Sequence, residues 1–143
     1  MARPVSGKGS AITAQELKSE TMLLLGTGHC FRDHVLEVCP EFARFSTDAE
    51  GIRKSFEGSS LETIKHMVAS GMGVTVVPQL SVPHGRDDPP SHALVTYIPF
   101  EPPVPTRRVV LAWRRSFPRY EAIAALRNAV YACALDGVTR LSD

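Results

Sequence analysis

The sequence predicts an α/β fold in which short buried strands alternate with amphipathic helices, and three stretches carry that reading. Residues 21–25 are a short apolar run closed by Gly26, as expected of a buried strand. Residues 52–56 alternate like a strand and lead into Ser59 and Glu62, which read as a capping box. Leu61, Ile64, Met67 and Val68 then give a helical stripe that stops at Gly71 or Gly73, and residues 74–77 read as a fully buried strand closed by Pro78. Strand, capped helix, glycine, strand is the order of a parallel crossover unit. The third stretch, residues 117–135, is the longest helical pattern, with Ile123, Leu126, Val130 and Cys133 on one face at spacings of three and four.

The remaining elements follow in order. Residues 1–19 are polar, with Pro4, Gly7 and Gly9, and read as a flexible lead-in. A helix is expected to begin at Cys30, after the Gly26-Thr27-Gly28 turn, and to stop at Pro40. Residues 41–51 read as a mixed loop, 83–90 as loop, 93–98 as a strand and 99–105 as a proline-rich connection. Residues 107–113 read as a further strand with a basic entry at Arg107 and Arg108.

Composition bounds the function classes. A chain of 143 residues with 43% hydrophobic residues is long enough to bury a core. Its formal charge of +1 carries no basic excess for holding nucleic acid by itself. No apolar run approaches the ~18 residues of a membrane span, and residues 1–10 lack the apolar centre of a secretory signal. The expected location is cytoplasmic, with no membrane partner. Three cysteines do not make a structural framework, so a disulfide here would be transient and regulatory.

Residues 28–40 concentrate the chemistry. Cys30 falls at a helix N-terminus, where unpaired N–H groups and a partial positive charge favour thiolate, and His29, Arg32 and His34 add to that field. His34 lies one turn on, on the same face. Cys39 stands nine positions after Cys30. On a continuous helix that is ~13 Å of rise, whereas a disulfide needs Cα atoms within about 7 Å. The two thiols bond only if the segment unwinds, which would turn a chemical signal into a change of shape.

Other readings stay open beside that one. The cysteines are two ordinary reduced side chains, or His29, Cys30, His34 and Cys39 form a zinc site at unusual spacing, or Cys30 with His34 as base serves a thiol enzyme such as a peroxidase. Cys133, on the apolar stripe of the last helix, reads as a core residue. Ser59 and Ser60, at a helix start, are candidates for a small anionic or carboxylate ligand, although capping alone accounts for them.

The segment Gly28-His29-Cys30-Phe31-Arg32-Asp33 with Cys39, followed by Ser60-Leu61-Glu62-Thr63-Ile64, Met67-Val68-Ala69 and Gly73-Val74-Thr75-Val76-Val77-Pro78, resembles the peroxide-sensing, OxyR-type transcription activators of the LysR family. The helix-and-strand portion is common to many LysR regulators. The cysteine segment is specific to the peroxide sensors. The resemblance runs from about residue 16 into the last helix. It implies an α/β, periplasmic-binding-protein-like (type 2) regulatory domain that is incomplete. Residues 20–99 would be the second regulatory subdomain, with the redox segment at 28–40, and residues 100–143 the strand and helix that return to complete the first.

The resemblance also implies roles. Cys30 would be the peroxidatic thiol that attacks hydrogen peroxide, Cys39 the resolving thiol, and His29, Arg32 and Arg108 the residues that shape the site. No cofactor and no metal are implied. A glutaredoxin or thioredoxin would reset the switch, and the full-length form would be a homodimer or tetramer. DNA and RNA polymerase would be met only through an N-terminal region that does not precede residue 16 here. A fragment, a truncated gene or a misassigned start would each account for that difference, and without the missing packing partner the apolar face beyond Arg107 is expected to be exposed. The alternative within the family is a non-redox effector domain for a small carboxylate at Ser59 and Ser60.

Overall fold

The structure, a computed structural model, describes residues 11–44, 55–83 and 94–141. The expected lead-in over 1–10, the loop over 45–51, the strand start at 52–54 and the loop over 84–90 lie outside the described residues.

Strand β1 (Met22–Leu25) is the centre of the fold. It pairs in parallel with β2 (Ser55–Gly58), Met22 opposite Ser55 and Leu25 opposite Gly58. On the other edge of β1, Val74 makes a single parallel bridge to Met22, with Leu23 N–H donating to Val74 O at 2.8 Å and Val74 N–H to Thr21 O at 2.9 Å. The expected strand over 74–77 goes no further than that bridge. The Thr75 hydroxyl donates to Leu23 O at 2.7 Å, taking an acceptor that a continuing ladder would use, and residues 74–77 are half-buried rather than fully buried.

Helices α1 (Cys30–Val38) and α2 (Glu41–Arg44) lie between β1 and β2, and α3 (Leu61–Ala69) follows β2. Part of the expected loop after Pro40 is therefore a turn of helix. Helix α3 packs on β1 and β2 through the fully buried Ile64. Its N-cap is Ser60 rather than the expected Ser59. The Ser60 hydroxyl accepts from Thr63 N–H at 3.1 Å, while Glu62 turns away to pair with Lys65 Nζ at 2.8 Å. At the other end Gly71, with φ +79°, lets Met72 N–H reach Met67 O and Gly71 N–H reach Val68 O, which closes the last turn as the glycine there predicts.

The core cluster joins Ile12, Leu17, Met22, Leu24, Val35, Cys39 and Phe42. Residues 11–19 are thus part of the packed unit instead of a loose lead. Thr13 and Glu16 cap each other there: the Thr13 N–H and hydroxyl both donate to Glu16 Oε2, at 2.8 and 2.9 Å, and hold that carboxyl below its usual pKa. A 3-10 turn over Glu16–Ser19 then seats Leu17 in the core.

Beyond residue 100 the chain is of another kind. Residues 94–98 and 107–113 form no strand, and from Glu101 to Leu141 every residue except Ile123 and Ala124 is exposed. Helix α4 (Tyr120–Ala132) starts after Pro118 and is three residues shorter at each end than the sequence pattern. Cys133, expected in the core, is exposed just past that helix, because among the described residues the stripe of α4 is left largely uncovered, with Leu126 and Val130 exposed. This return segment meets the rest at Ile12, whose N–H donates to Pro99 O and whose carbonyl accepts from Glu101 N–H, both at 2.9 Å. It meets it again at Phe31, beneath Arg107, and at Gln79, which lies against Gly137.

Candidate functional site

The site grows out of the turn between β1 and α1. Leu25 ends the strand where Gly26 N–H donates to Gly58 O at 3.1 Å, and Gly28, with φ +97°, reverses the chain in a conformation that favours glycine. His29 is the N-cap in extended geometry, with an exposed imidazole that makes no capping bond. Cys30 is accordingly the first residue of α1, as the sequence predicts, and its thiol is exposed.

Arg32 does not reach outward from this turn. Its Nη1 donates to Leu25 O at 2.9 Å and pairs with Glu57 Oε1 at 2.7 Å, fastening the first turn of α1 to the ends of both strands. His34 lies one turn beyond Cys30, and its Nδ1 is buried without a hydrogen-bond partner among the described residues. Phe31, half-buried, packs against the core cluster and also carries the Arg107 guanidinium at 5.1 Å from its ring centre.

Cys39 closes the helix in the opposite environment. It is 0% exposed, its N–H donates to Val35 O at 2.9 Å, and its neighbours in the cluster include Met22, Val35 and Phe42. Burial, helped by the negative charge of Glu41, pushes its thiol up to about 11. Glu41 is itself 3.6 Å from Lys18 Nζ. Both cysteines are free thiols, and the helix between them sets them ~13 Å apart along its axis. They are thus one exposed thiol and one protected thiol at the two ends of a single helix.

Other expected residues are not brought to this place. Arg108 is exposed on the return segment, and the arginine that touches the redox segment is its neighbour Arg107. Among the described residues, no group of three or more His, Cys, Asp or Glu side chains is placed to hold a metal ion, so His29, Cys30, His34 and Cys39 do not form the zinc site weighed from spacing. Ser59 and Ser60 are exposed. A groove of about 340 Å³ lies elsewhere, between Thr13, Val38 and residues 100–105, and the Ser60 hydroxyl is already engaged as the cap of α3.

Two residues at the site were missed in the sequence. Glu57 is the next-to-last residue of β2, and only its register opposite Leu24 shows that it meets Arg32. Arg107 carried a signal, the Arg-Arg pair, but successive residues of an extended chain face opposite sides and the pair alone does not tell which one turns inward.

Residues 2–133 match the LysR substrate binding domain. The chain belongs to that family. Its relatives include a hydrogen peroxide-inducible genes activator from Pectobacterium carotovorum subsp. carotovorum, 36% identical over 116 residues that make up 79% of this chain and 35% of that protein. Another is the DNA-binding transcriptional dual regulator OxyR of Escherichia coli K12, 38% identical over 76% of this chain and 33% of that one. Among solved structures, a reduced form of OxyR from N. meningitidis superposes with a TM-score of 0.81 at 36% identity, covering 98% of this chain and 62% of that chain. A full-length OxyR variant from Pseudomonas aeruginosa gives 0.72 at 39% identity, over 99% and 42%.

The fold is therefore the mixed α/β, periplasmic-binding-protein-like architecture of LysR substrate-binding domains. LysR proteins are transcription regulators rather than an enzyme family. This chain spans about a third of the length of the curated LysR relatives named above. No helix among its described residues is long and apolar enough to cross a membrane.

Proposed function

We propose that this chain is the redox-sensing part of the regulatory domain of an OxyR-like LysR transcription activator, switching through a reversible Cys30–Cys39 disulfide. The observation that carries the reading is the opposite exposure of the two thiols at the ends of one nine-residue helix. Cys30, as thiolate, attacks one oxygen of hydrogen peroxide. The O–O bond breaks, hydroxide leaves, and the sulfur is oxidised to sulfenic acid. The Cys39 sulfur then displaces the sulfenic hydroxyl, water leaves, and a disulfide remains.

The second step cannot occur on the helix. A thiol pushed up to about 11 is protonated at neutral pH, and ~13 Å separates it from its target. Release of Cys39 from the core removes both obstacles together, which couples the bond to unwinding of α1 and to loss of the Met22, Val35 and Phe42 contacts. His29 and Arg32 shape the turn. A dithiol reductant of the glutaredoxin or thioredoxin kind returns the pair to thiols.

In this reading residues 20–99 are the second regulatory subdomain, and residues 100–143 return to the first. The apolar face of the return segment is covered by the remainder of that first subdomain, and a cytoplasmic dimer or tetramer carries the signal to DNA and RNA polymerase through the DNA-binding region of the full-length protein. The test is non-reducing peptide mapping after one equivalent of hydrogen peroxide. The expected product is a peptide linking Cys30 to Cys39, lost in Cys30→Ser. Peroxide consumption that is unchanged in Cys30→Ser would overturn the assignment.

A further inference from the structure

We propose that Arg107 is a positioning residue of the redox helix. Through its stack on Phe31 it holds the first turn of α1 in the helical, reduced arrangement and ties that turn to the return segment. The inference rests on the redox reading above. Phe31 follows Cys30 directly, so the Cα of the ring residue stays 3.8 Å from that of the reactive one. The ring packs against the core cluster and the Arg107 guanidinium lies 5.1 Å over its centre, so it is held by the packed region and by the return segment.

Forming the disulfide requires α1 to lose about half of its ~13 Å of rise. The Cys39 end is embedded among Met22, Val35 and Phe42, whereas the Cys30 end is exposed and held by side-chain contacts. Those contacts are Arg32 to Leu25 O and Glu57, Phe31 against the core cluster, and Arg107 over Phe31. A first turn that unwinds carries Phe31 out from under Arg107. The stack then exists in the reduced form alone and opposes oxidation. Its loss on oxidation also frees the return segment at one of its contacts with the rest of the chain.

The test places the full chain in glutathione buffers, where protein dithiol and glutathione disulfide exchange with protein disulfide and two glutathione thiols. The Cys30–Cys39 fraction is read by peptide mapping. Arg107→Gln is expected to raise the ratio [GSH]²/[GSSG] at half-oxidation by about two- to fivefold, the size of an exposed cation–π contact. Arg107→Lys, which keeps a cation over the ring, stays near the parent. Phe31→Leu also raises the midpoint, and in that background Arg107→Gln adds nothing further.

An Arg107→Gln midpoint equal to the parent, or a shift that persists undiminished in Phe31→Leu, would overturn the inference. A parent chain that forms no Cys30–Cys39 disulfide even in fully oxidising buffer would instead remove the redox reading itself.

Discussion

Residues 101–141 are richer in apolar side chains than residues 11–83, yet among the described residues it is the first region that buries them. In the first region Met22, Leu23, Cys39 and Ile64 are 0% exposed around a central strand. In the second, Val109 is 78% exposed, Val110 68% and Leu126 50%, on a stretch whose sequence reads as a strand and an amphipathic helix. An amphipathic pattern states which face of an element wants cover. Whether the cover exists depends on other segments, and the N. meningitidis OxyR chain, of which this one covers 62%, has more polypeptide to offer.

The sharpest way to break that contrast is to delete the same kind of group from each region. Phe42→Ala removes a ring that is 1% exposed and belongs to the core cluster, and should cost about 3–5 kcal/mol in urea denaturation. Leu126→Ala, at a half-exposed position on the apolar stripe of α4, should change stability by no more than about 0.5 kcal/mol. A comparable loss at Leu126 would mean that the return segment is covered in solution.

The same contrast explains what could be read in the sequence. Strand β1, the start and stop of α1, the stripe of α3 and its Gly71 cap were legible because each depends on residues next to one another in the chain. The core role of Ile12 and Leu17 was hidden by the glycines and proline before them, although Thr13 and Glu16 carry the spacing of a capping box. The expected strands at 74–77 and 107–113 failed for a non-local reason. A strand needs a partner along its length, and Val74 finds one for a single residue while 107–113 finds none among the described residues. At the site, the placement of Cys30 followed from the glycine turn, whereas Glu57 and Arg107 arrive from distant segments.

Cys39 offers a second, pH-dependent probe of the packed region. Its thiol is pushed up to about 11 in the fold, above the ordinary value of 9.0 that the unfolded chain would show. The folded state therefore holds the proton more tightly. The stabilisation is complete below pH 9 and is lost as pH rises from there through about 11. Urea midpoints of the reduced chain should fall across that window. In Cys39→Ala the fall should be shallower, whatever the packing loss does to the absolute value, and an identical slope in the two proteins would show that Cys39 is not protected.

A further small effect concerns how the redox helix is held from the packed side. Glu57 is half-exposed, so its 2.7 Å pair with Arg32 is screened, and Glu57→Gln should cost only about 0.2–1 kcal/mol. Arg32 keeps its bond to Leu25 O in the variant, so α1 stays docked on β1. The loss should shrink when urea denaturation is repeated at about 1 M salt, where exposed charges are screened within ~3 Å. Arg107 on Phe31 is a tie of similar size from the exposed region. If Glu57→Gln moves the redox midpoint less than Arg107→Gln does, at equal cost in stability, the return segment is the side that governs the first turn. If it moves it more, the hold on Cys30 belongs to the packed region alone.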